Sequence, residues 1–337
     1  MKKQAAQERL FRFRPLEDSR GTEPGPSLLE RELEALRDSY LFSPPFSAMN
    51  DPMEAFYEFG GDGDGIIREL YHPSGKVLNE LYDQITSTVC KFGLVSFAAS
   101  HEDLPMWAYY ATSFAGMCLE FDPEGLQIGD LQNEVLREVL YTTQALPALN
   151  YSDVVSDHFL EKLIQRITRK RIEWAHEREL RFVTGQVGRK YYVDDALKRV
   201  YLGPRIKCEH ERQVCDILDR RPVEVLKGEV QGFELIFHSI KPARSLRDSE
   251  RIGAGLFSQS AAIYDEDAVR SFLGAGFDKL INECQQTRLR PNLEEICQIG
   301  VSSNRPGTIY FRSKYKVRDG REFYYSSHFD SEFITAN

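Results

Sequence analysis

Apolar and charged residues alternate over residues 10–16, LFRFRPL, a period of two that predicts a short strand ended by proline. Residues 19–27, SRGTEPGPS, read as a loop. Leu29, Leu33 and Leu36 then recur at helical spacing, and Pro44-Pro45 breaks the run. Residues 92–98, FGLVSFA, are apolar almost throughout and predict a strand buried on both faces. In MWAYYATSFAGMCLEFD (106–122) an aromatic, helical or irregular piece meets a turn at Gly116 and a strand MCLEF. VLREVLYT predicts another strand. A helix is expected from about Ser152 to Trp174, with Phe159, Leu163, Ile167 and Trp174 along one side. Arg166, Arg169, Lys170 and Arg171 would suit its C-terminal turns. The strand ELRFVT follows.

Beyond it, RVYLGPRI reads as a strand, EHERQVCDILDRR as a helix, and PVEVLKGEVQGFELIFHSI as a strand pair around a turn. The polar, glycine-bearing stretch after Pro242 marks a boundary near 243. The tail is expected to hold a helix at about 264–285 and a hairpin in IYFRSKYKVRDGREFYYSS, turned at Asp319-Gly320. Strands and helices follow one another without a regular βαβ rhythm. That pattern predicts an α+β fold, a mixed and mainly antiparallel sheet flanked by helices over 1–242, with an α+β extension at 243–337.

Composition narrows the chemistry. The chain has 337 residues, 42% apolar and 28% charged, with a formal net charge of −9. This acidic balance argues against a sequence-blind grip on nucleic acid while leaving a local basic patch open. No run approaches the ~20 apolar residues that span a bilayer, and the N-terminus lacks a signal-peptide core. The six cysteines are scattered without a CxxC pair. A cytoplasmic chain with reduced thiols is the expectation. No Walker loop, GxGxxG, HExxH or GxSxG occurs, and the seven histidines form no pair at metal-ligand spacing. FGGDGDG (59–65) lacks the ligand series of a calcium loop and reads as a solvated turn. Any chemistry would therefore run on carboxylates, arginines and aromatics, with no resident metal.

Four groups of residues are candidates. In KRIEWAHERELRFV (170–183), Glu177, Glu179 and Arg181 would share one strand face and Arg178, Leu180 and Phe182 the other. That face is either solvated and ion-paired across strands, or catalytic, with one carboxylate stabilising charge at a sugar anomeric carbon and the other acting on an acceptor. Arg12 and Arg14 share a face and could fork around a diphosphate, or balance surface charge. Trp107, Tyr109, Tyr110 and Phe114 are core, or a wall that stacks on a nicotinamide or adenine ring. In AMNDP (48–52), Asn50 and Asp51 form a turn or cap, or line a cleft.

In order along the chain, LFRFRP, MNDPM, LVSFA, MWAYYA, GMCLEFD, EWAHERELRF and RVYLGPRI resemble the pattern of the bacterial domain-of-unknown-function 2971 family, over roughly residues 10–242. The family's layout is similar to the ADP-ribosyltransferase plan, with its split sheet and NAD cleft. The resemblance implies that Glu179 contacts the nicotinamide ribose and stabilises an oxocarbenium-like transition state. It implies that Glu177 acts on the acceptor and that Arg12 and Arg14 hold NAD, with Asn50, Asp51, Trp107 and Tyr110 lining the cleft. Ala98 stands where the family has a strand serine, leaving Ser96 as the hydroxyl. Tyr109 and Phe114 replace two histidines of the family pattern. The leading expectation is an NAD-consuming transferase or glycohydrolase, an effector of toxin or phage-defence kind, whose acceptor is protein, nucleic acid or water. The alternatives are a non-catalytic nucleotide- or protein-sensing module, and a metal-dependent nuclease using Asp51, Glu54, Glu177 and Glu179.

Overall fold

The computed structural model describes residues 8–17, 26–49, 87–88, 91–126, 134–144, 146–147, 153 and 156–335. In chain order the elements begin with β1 (Leu10–Arg14), α1 (Leu28–Asp38), β2 (Tyr40–Ser43) and β3 (Gly93–Phe97). Then come α2 (Leu104–Tyr110), β4 (Met117–Phe121), β5 (Val135–Glu138), β6 (Leu140–Thr142), α3 (Phe159–Ile167) and β7 (Arg169–Arg171). A 3-10 helix (Ile172–Glu177) leads into β8 (Leu180–Thr184), followed by β9 (Gly188–Tyr191), β10 (Leu197–Leu202) and α4 (Cys208–Leu218). The hairpin of β11 (Glu224–Gln231) and β12 (Glu234–Lys241) precedes α5 (Glu266–Leu273), α6 (Phe277–Thr287), β13 (Leu293–Val301), β14 (Ile309–Lys316) and β15 (Glu322–Phe329). The fold is α+β with mixed and antiparallel sheets, as the interspersed pattern predicts. Among the described residues no helix is long and apolar enough to cross a membrane.

The chain divides into two units. One comprises Met1–Leu41, Ser100–Leu131 and Tyr191–Asn337; the other comprises Phe42–Ala99 and Gln132–Lys190. The boundary expected near 243 is not where the units divide, because the tail is tied into the first unit by buried polar bonds. The Asn292 side chain accepts from the Asp194 backbone N–H at 3.0 Å, and Asp194 pairs with Arg221, which donates to the Ser39 hydroxyl at 3.0 Å. All four side chains are buried. An arginine and an aspartate removed from water in this way are tolerated only as partners.

The first unit holds a five-stranded sheet in the order β1-β4-β10-β11-β12, antiparallel except for the parallel pair β10–β11, which α4 connects. Helix α1 starts at a capping box in which the Ser27 hydroxyl accepts from Glu30 N–H while the Glu30 carboxylate accepts from Ser27 N–H. The tail forms its own three-stranded antiparallel sheet, β13-β14-β15, with the apolar sides of α5 and α6 over one face. Its Asp319-Gly320 hairpin forms as expected, Gly320 supplying a φ of 86°. The single helix expected at 264–285 is two, since Gly274 at φ 52° turns the chain between them.

The second unit holds the antiparallel sheet β3-β8-β5 and the parallel pair β6–β7. Phe92, Leu94 and Val183 close a small core against Leu163 and Ile167 of α3. VLREVLYT is therefore two strands rather than one. The helix expected to reach Trp174 ends at Ile167: the Thr168 hydroxyl donates back to the Ile164 carbonyl at 2.7 Å, and Arg181 takes the Ile167 carbonyl at 2.6 Å. Of the basic run read as a helix C-terminus, Arg166 does lie in the last turn of α3, while Arg169, Lys170 and Arg171 form strand β7.

Candidate functional site

The alternation of Glu177, Glu179 and Arg181 does not lie on one strand. Glu177 closes the 3-10 helix, Arg178 adopts a left-handed conformation at φ 43°, and Glu179 leads into β8. The kink turns Arg178 outward and brings both carboxylates inward, leaving Glu177 3% and Glu179 5% exposed. There they meet two cations. Lys170 Nζ donates to Glu177 Oε2 at 2.6 Å and lies 3.4 Å from Glu179 Oε2. Arg181, wholly buried, forks onto Glu179 through Nε at 2.9 Å and Nη2 at 3.0 Å. Among the described residues two acids and two bases thus form a quartet, with Lys170 Nζ 5.0 Å from the centre of the Trp174 ring.

The quartet is held from two further strands. The Tyr141 hydroxyl of β6 accepts from Glu179 N–H at 2.8 Å, and burial pushes the Tyr141 phenol up to about 12. Ser96 of β3 stands opposite Arg181 in register and adds a small lowering influence on the Glu179 carboxyl. Burial alone would raise the Glu179 carboxyl; Arg181, Lys170 and Ser96 outweigh it and hold it below the usual carboxylate range. At neutral pH this acid is ionised and fully partnered.

In the first unit, β1 places Arg12 and Arg14 beside α1. Arg14 Nε donates to Glu32 Oε2 at 2.9 Å, with a second, short bond from Nη2 to Oε1. Arg12 is 9% exposed; burial and the Arg14 charge lower its pKa while Glu32 opposes them. Trp107 of α2 is wholly buried, its Nε1 donating to the His101 carbonyl at 2.6 Å. Its ring meets Phe13 edge-on at 5.2 Å and stacks near Phe237 at 5.7 Å. Tyr110 is half-buried and Tyr109 is 71% exposed. Asn50, Asp51 and Glu54 lie outside the described residues.

After α2 the chain turns through Thr112, Ser113 and Phe114, three successive non-glycine residues at φ 48°, 51° and 71°. Such positions cost about 1–3 kcal/mol each and persist only where their surroundings over-determine them. The surroundings here are two close glycines. Gly116 lets the turn approach the Arg14 carbonyl, and Gly203 lets the Phe114 carbonyl reach Arg205 N–H at 3.0 Å. A Cβ at Gly203 would fall 2.1 Å from the Phe114 oxygen, so Gly203→Ala should cost about 1–3 kcal/mol, read as a lower urea midpoint at unchanged slope. The strand that follows carries Glu120, 2% exposed, which accepts from the Tyr201 hydroxyl at 2.7 Å and from Arg199 at 3.3 Å. His101 stacks on the Tyr201 ring at 4.1 Å, and burial lowers its imidazole, so it is neutral at pH 7.

The MWAYYA helix, this turn, the GMCLEFD strand and the acid-bearing kink occur in the order the sequence resemblance requires. Residues 106–182 match a family described as Protein of unknown function (DUF2971). No curated protein and no solved structure matches the chain. The DUF2971 segment runs from α2 into β8, so it takes in Trp107, Glu120, Tyr141, Lys170 and the acids. Arg12 and Ser96 lie outside it. Among the described residues no group of three or more His, Cys, Asp or Glu side chains is placed to hold a metal ion. Lys170 and Tyr141 were not legible as partners of the acids: one reads as a basic helix end, the other as an ordinary strand tyrosine. Glu120 and Tyr201 are 81 residues apart, a distance over which single-sequence spacing carries no signal.

Proposed function

We propose that this DUF2971-bearing chain is a non-catalytic recognition module of nucleotide- or protein-sensing kind, and that its Glu-x-Glu element is structural. The observation that carries this reading is the closed quartet. A carboxylate that deprotonates an acceptor or steadies a sugar cation must reach the reacting atoms. Glu177 and Glu179 are instead sealed from solvent and committed to Lys170 and Arg181. The residues expected to grip NAD support the same reading. Arg14 is committed to Glu32, and Trp107 is shut inside an aromatic core where it cannot stack on a nicotinamide.

One contact favours a second reading, glycosyl transfer from NAD or its hydrolysis. Ser96, half-buried on β3 opposite Arg181, lies near enough to the Glu179 carboxyl to help lower it, the hydroxyl-and-acid pair that the ADP-ribosyltransferase plan calls for. In that reading Glu179 steadies positive charge at the ribose carbon as nicotinamide departs with the bonding electrons, and protein, nucleic acid or water takes its place.

Free nicotinamide is measured after incubating the pure chain with NAD, beside thermal shifts with NAD and ADP-ribose. The expected result is no turnover by wild type or Glu179→Gln, with a ligand shift in either. Nicotinamide released by wild type and not by Glu179→Gln would overturn the first reading in favour of the second.

A further inference from the structure

In the first unit, the β11–β12 hairpin and the loop that leaves β10 border a cavity of about 610 Å³. Its aliphatic wall is Pro204, Val230 and Ile240. Val230 is 63% and Ile240 41% exposed, so apolar surface stands uncovered there. Its polar wall is Arg205, Lys227, Glu229 and His238. A concavity of this size, with a few polar groups set against apolar sides, suits a small molecule.

The charges of the polar wall are not equal in standing. Lys227 is neutralised by Glu211 of α4, its Nζ donating to Oε2 at 2.5 Å. His238 Nε2 lies 3.7 Å from Glu229. Arg205 is exposed and makes no ion pair among the described residues. Its side chain donates from Nη1 to the Ser113 carbonyl at 3.4 Å, a long bond, and the rest of its planar fork of N–H donors stays open.

The left-handed turn at Thr112, Ser113 and Phe114 sets where this arginine stands. Arg205 N–H donates to the Phe114 carbonyl at 3.0 Å while its side chain reaches Ser113, so backbone and guanidinium are both anchored on the turn. Gly203 permits the approach, since a Cβ there would strike the Phe114 oxygen. Strained backbone of this kind clusters at ligand clamps. The turn also lies inside the segment matched by the family.

We propose that this cavity binds a small monocarboxylic acid with a bulky apolar body. The carboxylate accepts from the Arg205 fork, and the body lies against Pro204, Val230 and Ile240. One open positive charge matches one negative charge. Glu229, on the same wall, repels a second, which disfavours phosphate esters and polyanions. The site belongs to the first unit and stands independently of the quartet in the second and of any activity there.

The test is isothermal titration calorimetry of the full chain with naphthoate, beside naphthamide, acetate and naphthyl phosphate, at about pH 8, where the phosphate carries two charges. Naphthoate should bind with a dissociation constant of about 1 mM or tighter, as a rigid ligand of that size can. The amide lacks the charge, acetate lacks the body and the phosphate adds a charge, so each should bind about tenfold or more weakly. Arg205→Met should weaken naphthoate binding about tenfold or more, and Arg205→Lys nearly as much, because an ammonium cannot fork. Glu229→Gln should let naphthyl phosphate bind several-fold more tightly. Arg244→Met, at an arginine outside the cavity, should leave naphthoate binding unchanged. Melting temperatures identify any variant that fails to fold, in which case Arg205→Lys carries the comparison. No naphthoate binding, amide or phosphate bound as tightly as the acid, wild-type affinity in the folded Arg205 variants, or unchanged phosphate affinity in Glu229→Gln would each overturn the proposal.

Discussion

Arg181→Met should lower the free energy of unfolding by about 3–5 kcal/mol, because it removes one partner of a buried pair and leaves the other charged. Arg181 is wholly buried, forks onto Glu179 and also caps the Ile167 carbonyl where α3 ends, so its loss leaves Glu179 only the longer Lys170 contact at 3.4 Å and strips the Ile167 carbonyl of that donor. Replacing Glu179 as well, in Arg181→Met/Glu179→Leu, should recover part of the loss, since an apolar pair leaves no unpaired charge. The check is urea unfolding followed by circular dichroism. A loss under about 1 kcal/mol would mean that water reaches the quartet and that the acids are not sealed.

The same group sets a pH dependence. Glu179 is held below the usual carboxylate range when folded, so its contribution is complete above the unfolded value of about 4.3 and is lost as pH falls through the folded value. The stability gap between wild type and Arg181→Met should therefore narrow as pH drops from about 6 to about 3. A gap constant over that window would show that Arg181 acts through packing and the Ile167 carbonyl rather than through the Glu179 charge.

Local patterns carried most of the fold and little of the site. The LFRFR strand, the FGLVSFA strand and the Asp319-Gly320 hairpin follow from period and turn chemistry, and each stands where the chain pattern puts it. The helix expected up to Trp174 failed because a backbone carbonyl at Ile167 found Arg181, 14 residues on, as a better partner than the next helical turn. The twin acids were legible as a pair, but a period-two reading assumes continuous strand, and one left-handed residue, Arg178, breaks it. What neutralises them was not legible. Lys170 reaches Glu177 over seven residues and Glu179 over nine, across a strand and a 3-10 helix, and no single-sequence period describes that path. Arg14–Glu32 and Tyr201–Glu120 are likewise products of tertiary packing.

The aromatic run MWAYYATSF left a choice between core and ligand platform, and Trp107→Ala separates them on stability alone. The ring has no exposed surface and is bounded by Phe13, Phe237 and Phe114, the last parallel to it at 6.4 Å. Truncation leaves a cavity that a β-strand on one side and a left-handed turn on the other cannot readily close. It also strips the His101 carbonyl of its donor. The expected cost is about 3–5 kcal/mol. Trp107→Phe keeps most of the apolar volume and loses the Nε1 bond, so it should cost less, while Tyr109→Ala, two residues along and largely exposed, should stay within about 0.5 kcal/mol of wild type. Unfolding in urea ranks the three. If Trp107→Ala were as mild as Tyr109→Ala, the indole would not be core, and its place in a ligand cleft would have to be reopened together with the catalytic reading of Glu179.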